Sequence, residues 1–460
     1  MRPVLPRPAS AATAVLAVIL FALPSRPAAA AAAPASARPM VVPFIADDFE
    51  RAVSEARASQ RPIFVEVWAP WCHTCRSMRA YVFTDPALAS RAPAFEWLEI
   101  NSEQAANAAF LKRYPTPALP SYLILDPSDR RVALRWVGGA TVQQLLKLLD
   151  DGRMAVAAGA APAPGDSPAD AAFARAEKLY AAGSDSAAAS AYEEALRLAP
   201  AGWARESRAV ESLLFALTQI GANERAAKRA IDAFPRLSRS SSAGNVAASG
   251  LEAALEIPAA TPGRDALVER LERDCRSVVS DRSIPMAADD RSAVYIALLD
   301  RRSDVPDSAG ARQVASEWAT FLEGEAARAP TPDARAVFDS HRLSAYLALG
   351  EPERAIPMLN ASERDLPDDY NPPARLAVAY RALRRWPEAL AASDRALKKA
   401  YGPRSLGMLQ VRSDIYLGLA DTVSARRTLD DAVHTAEGFP EGQRSPNAIA
   451  ALRKKREALH

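Results

Sequence analysis

Cys72 and Cys75 stand three positions apart in the run Phe64-Val65-Glu66-Val67-Trp68-Ala69-Pro70-Trp71-Cys72-His73-Thr74-Cys75. Two thiols at that spacing can close a disulfide within the chain or open one in a partner. The β-branched and aromatic stretch ahead of them predicts a buried strand over residues 62–68, and a helix follows Cys72. A sulfur at a helix N-terminus faces unsatisfied backbone N–H groups and the positive end of the macrodipole, so the Cys72 thiol should titrate below the free value of about 8.5. Cys72 is the candidate nucleophile, and Cys75, one turn further in, is placed to attack the mixed disulfide that Cys72 forms with a partner. The partner leaves reduced and a Cys72–Cys75 bridge remains; run backwards, the pair donates a disulfide. No cofactor beyond this redox-active pair is required.

Other uses of the same residues can be weighed. A metal site needs further ligands, and Cys275, His73, His341, His434 and His460 offer none in paired spacing, so no metal is expected. A purely structural bridge would close only a four-residue loop and remove little chain entropy. Cys275 follows Leu267 and Leu271 at steps of four and reads as a small hydrophobe on an apolar helical face. His73, when protonated, would stabilise a Cys72 thiolate and shift the couple toward oxidising potentials; the alternative is a side chain that only faces solvent.

The elements that must position the pair follow from periodicity. Phe49, Ala52, Val53 and Ala56 share one face of a helix over residues 48–58. After the cysteines come a helix, a strand over 95–100, a helix over 103–113 and a strand over 121–125. The turn Asp126-Pro127-Ser128-Asp129 leads into a strand over 132–137, and an amphipathic helix over 141–149 closes the segment. Strands alternating with helices and ending in a hairpin give an α/β sandwich of about 110 residues, assigned to 47–152. The Ala/Pro-rich stretch 153–170 has no periodic apolar face and reads as a linker.

From 171 to 460 the β signals stop and helical period runs throughout. Tyr346, Ala348, Gly350 and Ala355 recur 34 residues later as Tyr380, Ala382, Arg384 and Ala389, then 36 later as Tyr416, Gly418, Ala420 and Ala425. That period, with a Tyr, a turn position and an Ala at fixed offsets, is the tetratricopeptide (TPR) pattern of helix, tight turn, helix, clearest over 339–440. Weaker units carry Gly183, Ala188, Tyr192, Ala195 and Pro200, then Gly221, Ala226 and Pro235. Residues 236–338 read as degenerate helical sequence, with an irregular bundle as the alternative and a loop over 238–249.

Arg2 and Arg7 precede an apolar run over 11–23, followed by Pro24 and a string of alanines that offers Ala-x-Ala cleavage sites. Residues 1–30 thus read as a secretory signal peptide, with a short buried helix or an uncleaved anchor as alternatives, and 31–46 as a flexible leader. No other stretch has the roughly 20 apolar residues of a membrane span, so the mature chain is expected to be soluble and periplasmic or secreted. The 460 residues carry 57 basic and 55 acidic side chains with no long block of one sign, which excludes an electrostatic nucleic-acid binder. With 49% hydrophobic residues and three cysteines, disordered and disulfide-scaffold classes are excluded too.

The segment 47–151 resembles the thioredoxin family, on the string Trp68-Ala69-Pro70-Trp71-Cys72-x-x-Cys75, the turn Ala118-Leu119-Pro120-Ser121 ahead of Tyr122-Leu123-Ile124-Leu125, and Val137-Gly138-Gly139. Within it the sequence is most similar to the periplasmic C-terminal domain of the membrane-linked disulfide-interchange reductase, on Tyr81-Val82-Phe83-Thr84-Asp85-Pro86 and on Leu111-Lys112-Arg113 through Leu119-Pro120. The resemblance implies that Pro120 is a cis-proline opposite the cysteines and that the Leu119 backbone pairs with an extended substrate segment, with Trp71 and His73 also on the substrate side. It further implies that Glu66 is a buried acid with a raised pKa that takes the proton from Cys75, although the family's usual Asp is a Glu here and its partner lysine has no counterpart near Trp97. An acid at a strand edge that reaches solvent is the alternative for Glu66.

The expected protein is an α/β thioredoxin-like domain followed by an all-α TPR solenoid. Its expected function is thiol–disulfide exchange with protein clients, held as peptides or segments on the TPR surface so that the effective thiol concentration rises near them. A pathway-specific reductant for haem-attachment cysteines is a subcase. The competing class is a non-enzymatic TPR adaptor or holdase chaperone that uses the thioredoxin-like domain for docking.

Overall fold

The computed structural model describes residues 39–157, 167–304 and 307–459. The signal segment 1–30, most of the leader and the middle of the linker lie outside these residues.

Five strands, β1 (Phe44–Ala46), β2 (Ile63–Trp68), β3 (Glu96–Asn101), β4 (Ser121–Leu125) and β5 (Val132–Val137), form one sheet in the order β1-β3-β2-β4-β5. The first three run parallel, whereas β4 is antiparallel to β2 and β5 to β4. Helices α1 (Phe49–Ser59), α2 (His73–Ser77), α3 (Ala108–Arg113) and α4 (Val142–Ala157) complete the domain. Alternation along β2 sends Ile63, Val65 and Val67 into one apolar layer, shared with Val53 of α1 and Phe110 of α3. Phe64 faces the other layer, with Trp97, Tyr122, Trp136 and the α4 residues Leu145 and Leu149. Helices on both faces explain why β2 reads as an apolar run broken only at Glu66 rather than as an alternating one.

Four expectations change. β1 lies inside the stretch read as a leader; three residues are too few for alternation to show, and Phe44 is held by edge contacts to the Phe83 and Trp97 rings at 5.2 and 5.6 Å. α4 continues to Ala157, into the stretch read as linker, and α5 begins at Pro168, before its expected end. The helix expected over 103–113 is a 3₁₀ turn, Ala105–Asn107, followed by α3. The serine-rich loop expected over 238–249 is instead the start of a helix at Ala243.

The rest of the chain is a run of antiparallel helix pairs. They are α5 (Pro168–Ala181) with α6 (Asp185–Leu198), α7 (Glu206–Gln219) with α8 (Asn223–Leu237), and α9 (Ala243–Leu255) with α10 (Arg264–Ser280). There follow α11 (Ala288–Asp304) with α12 (Ser308–Arg328), the short α13 (Pro332–Ala336), and α14 (Asp339–Leu349) with α15 (Ala355–Asp365). The last are α16 (Asn371–Ala382) with α17 (Trp386–Lys399), and α18 (Arg404–Gly418) with α19 (Thr422–Gly438) and α20 (Pro446–Glu457). The alanines that mark the repeats, Ala188, Ala226, Ala355, Ala389 and Ala425, are all fully buried, since a larger side chain there would hold the paired helices apart.

The repeat turn has one backbone conformation whatever its residue. Gly183, Gly221 and Gly350 have φ of 73°, 69° and 78°, and the equivalent Arg384 and Ala420 have 56° and 61°. In the last three units the following N–H closes on the repeat tyrosine, Glu351 to Tyr346 O at 2.8 Å, Arg385 to Tyr380 O at 2.9 Å and Asp421 to Tyr416 O at 2.9 Å. Left-handed backbone costs a residue with a Cβ roughly 1–2 kcal/mol, a cost that glycine escapes. Ala420→Gly should therefore stabilise the chain by about 0.5–1 kcal/mol and Gly350→Ala destabilise it by a similar amount. Chemical denaturation midpoints check both, and shifts of the same sign in the two variants would contradict the shared turn.

Candidate active site

β2 ends at Trp68, and the Cys72 N–H closes the following turn on Ala69 O at 3.1 Å. Cys72 has an extended backbone and caps α2, its Sγ accepting the Cys75 N–H at 3.1 Å. The sulfur thus occupies the place where a helix presents its unsatisfied donors. Cys75 lies one turn inward, and the two are joined as a disulfide with Cα atoms 5.3 Å apart. The Leu119–Pro120 peptide bond is cis, and the Leu119 side chain packs on the cysteines together with Trp68 and Trp71. The chain thereby brings together the pair at 72 and 75 and a turn more than forty residues away.

Glu66 points into the layer that carries Phe64 and is fully buried, so the edge-acid alternative fails. Its register neighbours are Glu99 on β3 and Tyr122 on β4. Two carboxylates side by side need a cation, and Arg79, in the π-helical turn Met78–Val82 that continues α2, bonds to Glu66 Oε2 at 3.1 Å and to Glu99. The same guanidinium lies 4.2 Å from the Trp68 ring centroid. Burial pushes the Glu66 carboxyl up to about 8, the Glu99 charge adding to the shift and Arg79 opposing it. Its Oε1 has no hydrogen-bond partner among the described residues. Arg79 is the partner that sequence reasoning missed by seeking a lysine near Trp97; its signal was a cation one helical stretch beyond the cysteines.

The helical array covers this site. Cys72 is 5% exposed and Cys75 0%. Trp71 donates its Nε1–H to Glu103 at 2.8 Å, lies under the Arg404 guanidinium and packs on Tyr370, Ala396 and Met408. Glu103 in turn accepts the Arg404 N–H at the start of α18, at 2.7 Å. Asn371 Nδ2 donates to Pro70 O at 3.1 Å, and Arg76 pairs with Asp369 at 2.5 Å. Burial alone would raise the Asp369 pKa, but the Arg76 charge holds it below the usual carboxylate range. Tyr81 OH donates to Ala334 O at 3.1 Å, and Gln443 Nε2 reaches Ser102 O at 2.7 Å. The array also meets the far edge of the sheet where α5 packs on β5. It therefore meets the domain from its first helix, α5, to the segment between α19 and α20. Partners 253 to 341 residues apart leave no periodic signal in the sequence.

His73 does not face open solvent. Its Nδ1 meets the Asp289 carboxylate on α11, and its ring lies with its centroid 3.7 Å from that of His341 on α14. Burial, with the His73 ring beside it, lowers the His341 pKa to about 3 and keeps that imidazole neutral. Burial would raise the Asp289 pKa, and His73 with His341 and Thr74 reverses this. Cys275 is buried and unbonded, as its apolar spacing predicts.

Residues 44–127 match the family described as "Thioredoxin-like". Among curated proteins the chain is 27% identical over 89 residues to the thiol:disulfide interchange protein DsbD of Pseudoalteromonas atlantica, a match covering 19% of this chain and 15% of that protein. It is 32% identical over 92 residues to DsbD 1 of Pseudomonas aeruginosa, covering 19% and 16%. Thioredoxin M4 of the Arabidopsis thaliana chloroplast is 28% identical over 92 residues, covering 20% and 45%. The chain thus spans about one sixth of the interchange proteins. Among solved structures, a tetratricopeptide repeat protein from Parabacteroides merdae aligns at TM-score 0.40 and 13% identity, covering 63% of this chain and 99% of that one. The TPR2AB domain of yeast Sti1, in its complex with pHSP90, aligns at 0.24 and 17%, covering 63% and 98%. The N-terminal domain is thioredoxin-like, and the helices after it pair in the manner of TPR units.

The raised Glu66 pKa has a pH signature. From its ordinary 4.5 up to about 8, the folded chain keeps a proton on Glu66 that the unfolded chain releases, so stability falls as pH rises through that window. Glu66→Gln removes this equilibrium, and the stability of the variant relative to the parent should climb steadily from about pH 5 to about pH 8. Urea midpoints across that range read the effect; a constant difference would mean that Glu66 is already ionised when folded.

Proposed function

We propose that this chain is an exported thiol–disulfide oxidoreductase that exchanges disulfides with proteins through Cys72 and Cys75 and gates that exchange with its own helical array. The observation that carries the reading is the Cys72 sulfur at the start of α2, accepting the Cys75 N–H and packed beside the cis-proline turn. A reduced Cys72 is stabilised there as the thiolate. It attacks one sulfur of a client disulfide and expels the other as a thiolate. Cys75 then loses its proton, attacks the Cys72 sulfur and expels the second client thiolate, so that two electrons pass to the client and the Cys72–Cys75 bridge remains. Glu66, a carboxyl titrating near neutrality, is the group beneath the site that exchanges this proton with Cys75. The reverse sequence donates the bridge. The reduction potential assigns the direction: near −270 mV the chain is a reductant needing an electron supply, near −120 mV a disulfide donor.

In the wrapped conformation Cys72 is buried, so exchange follows local opening of the seam carried by Arg76–Asp369, Asn371 and Glu103–Arg404. The exposed edge at Leu119 then pairs with an extended client segment. A second reading, a non-enzymatic adaptor or holdase docked through its thioredoxin-like domain, is favoured by the burial of both cysteines.

Two experiments separate these readings. Cys72→Ser should reduce disulfide exchange to background while Cys75→Ser accumulates a mixed disulfide visible by mass spectrometry; full client protection by both variants without any exchange in the parent would establish the adaptor. Asp369→Asn strands the Arg76 charge at the seam, and should speed reduction of the Cys72–Cys75 bridge by a small thiol roughly 3-fold or more. An unchanged rate would show that the cover does not limit access.

A further inference from the structure

His73, Asp289 and His341 come from the first turns of α2, α11 and α14, and each brings a ligating atom within 4.8 Å of those of the other two. Asp289 and His341 are buried, at 7% and 8% exposed, and His73 is partly so. Two imidazoles and one carboxylate are a donor set suited to zinc and its neighbours in the first transition row, and three protein ligands leave a fourth position open on a tetrahedral ion. His73 and Asp289 pair across the seam and the His341 ring lies on the His73 ring, so three side chains with ligating atoms meet in a largely buried place.

The surroundings are those of a ligand set. His341 Nδ1 is bonded to Ser292 Oγ at 2.7 Å, and the same hydroxyl accepts the Trp318 Nε1–H at 2.7 Å. The ring is thereby fixed from behind and its Nε2 left as the free nitrogen, which is how outer groups orient a ligating histidine. A cavity of about 450 Å³, lined by Thr74, Tyr81, Gly139, Met286, Asp289 and Phe338, opens beside the carboxylate and gives an ion a way in. Bonds of about 2.0–2.2 Å in a tetrahedral complex hold donors roughly 3.3 Å apart, so side-chain rotation closes the cluster around an ion.

We propose that His73, Asp289 and His341 form a site for a divalent transition-metal ion on the seam between the sheet domain and the helical array, next to the redox-active pair. Because His73 belongs to one side of the seam and the other two to the opposite side, a bound ion ties the array to the domain at the residue that follows Cys72. The site stands whether or not the pair exchanges disulfides.

The test uses the full chain, free of any histidine tag, with Cys72–Cys75 oxidised so that neither sulfur is a thiolate ligand. Calorimetric titration with Zn²⁺, and with Co²⁺ followed by its visible absorption, should show one ion per chain. Binding should weaken roughly 10-fold or more in His341→Ala and also in His73→Gln, a change at a partly exposed position that leaves the helical core untouched. Absence of binding, or binding unchanged in both variants, overturns the proposal. Binding that requires the reduced cysteines and vanishes in Cys72→Ser overturns it as well, by placing the ion on the dithiol.

Discussion

Two acidic side chains share a row in a buried layer of the sheet, and Arg79 is the cation that bonds to both. Glu66 and Glu99 are register partners on adjacent strands, and the guanidinium reaches both while lying over the Trp68 ring. Arg79 comes from the helical stretch that opens at Cys72, so the bonds that relieve the carboxylates also hold that stretch down on the sheet. The sulfur is fixed at one end of the stretch by its own N-cap bond and at the other by a buried ion cluster. Everything that faces the array, from His73 to Tyr81, takes its direction from this anchoring.

The seam between domain and array is built from a different kind of contact. Beside apolar contacts, Trp71 on Tyr370, Ala396 and Met408 and Ala80 and Val137 on the core of the array, it carries ion pairs and side chains donating to backbone carbonyls such as Pro70 O, Ser102 O and Ala334 O. Interfaces of that polarity within one chain resemble those of transient complexes more than they resemble a core. Their geometry is specific because each donor needs its acceptor. Their net energy is modest because water competes for the same groups once the seam parts. Such a cover is positioned accurately and opens without unfolding either side.

The α/β segment was legible in the sequence because its signals are local. The strand over Ser121–Leu125 and that over Val132–Val137 begin and end where alternation and turn residues placed them. The TPR units were legible for a related reason, since Gly350, Arg384 and Ala420 follow a tyrosine at one fixed offset and share one backbone conformation. The cysteines and the proline turn are contiguous motifs and were found. Arg79 lay within reach of the same reasoning but was sought on the wrong strand. Glu103, Asp369, Asn371 and Arg404 were beyond it, because nothing in residues 369–404 marks which of their polar groups meet residues 70–103. Asp289 and His341 fall in that class too.

The cover arrives from the far end of the chain. Glu103 is met by Arg404, Ser102 by Gln443 and Lys112 by Glu441, contacts that span more than 300 residues. A chain made from its N-terminus completes the sheet and the start of α2 long before these residues exist. For that interval the sulfur of Cys72 has its helix and its proline turn but no roof, and it meets whatever redox partners surround the unfinished molecule. The finished protein and its own precursor therefore present the same dithiol to different company, and the length of the helical array sets how long the earlier exposure lasts.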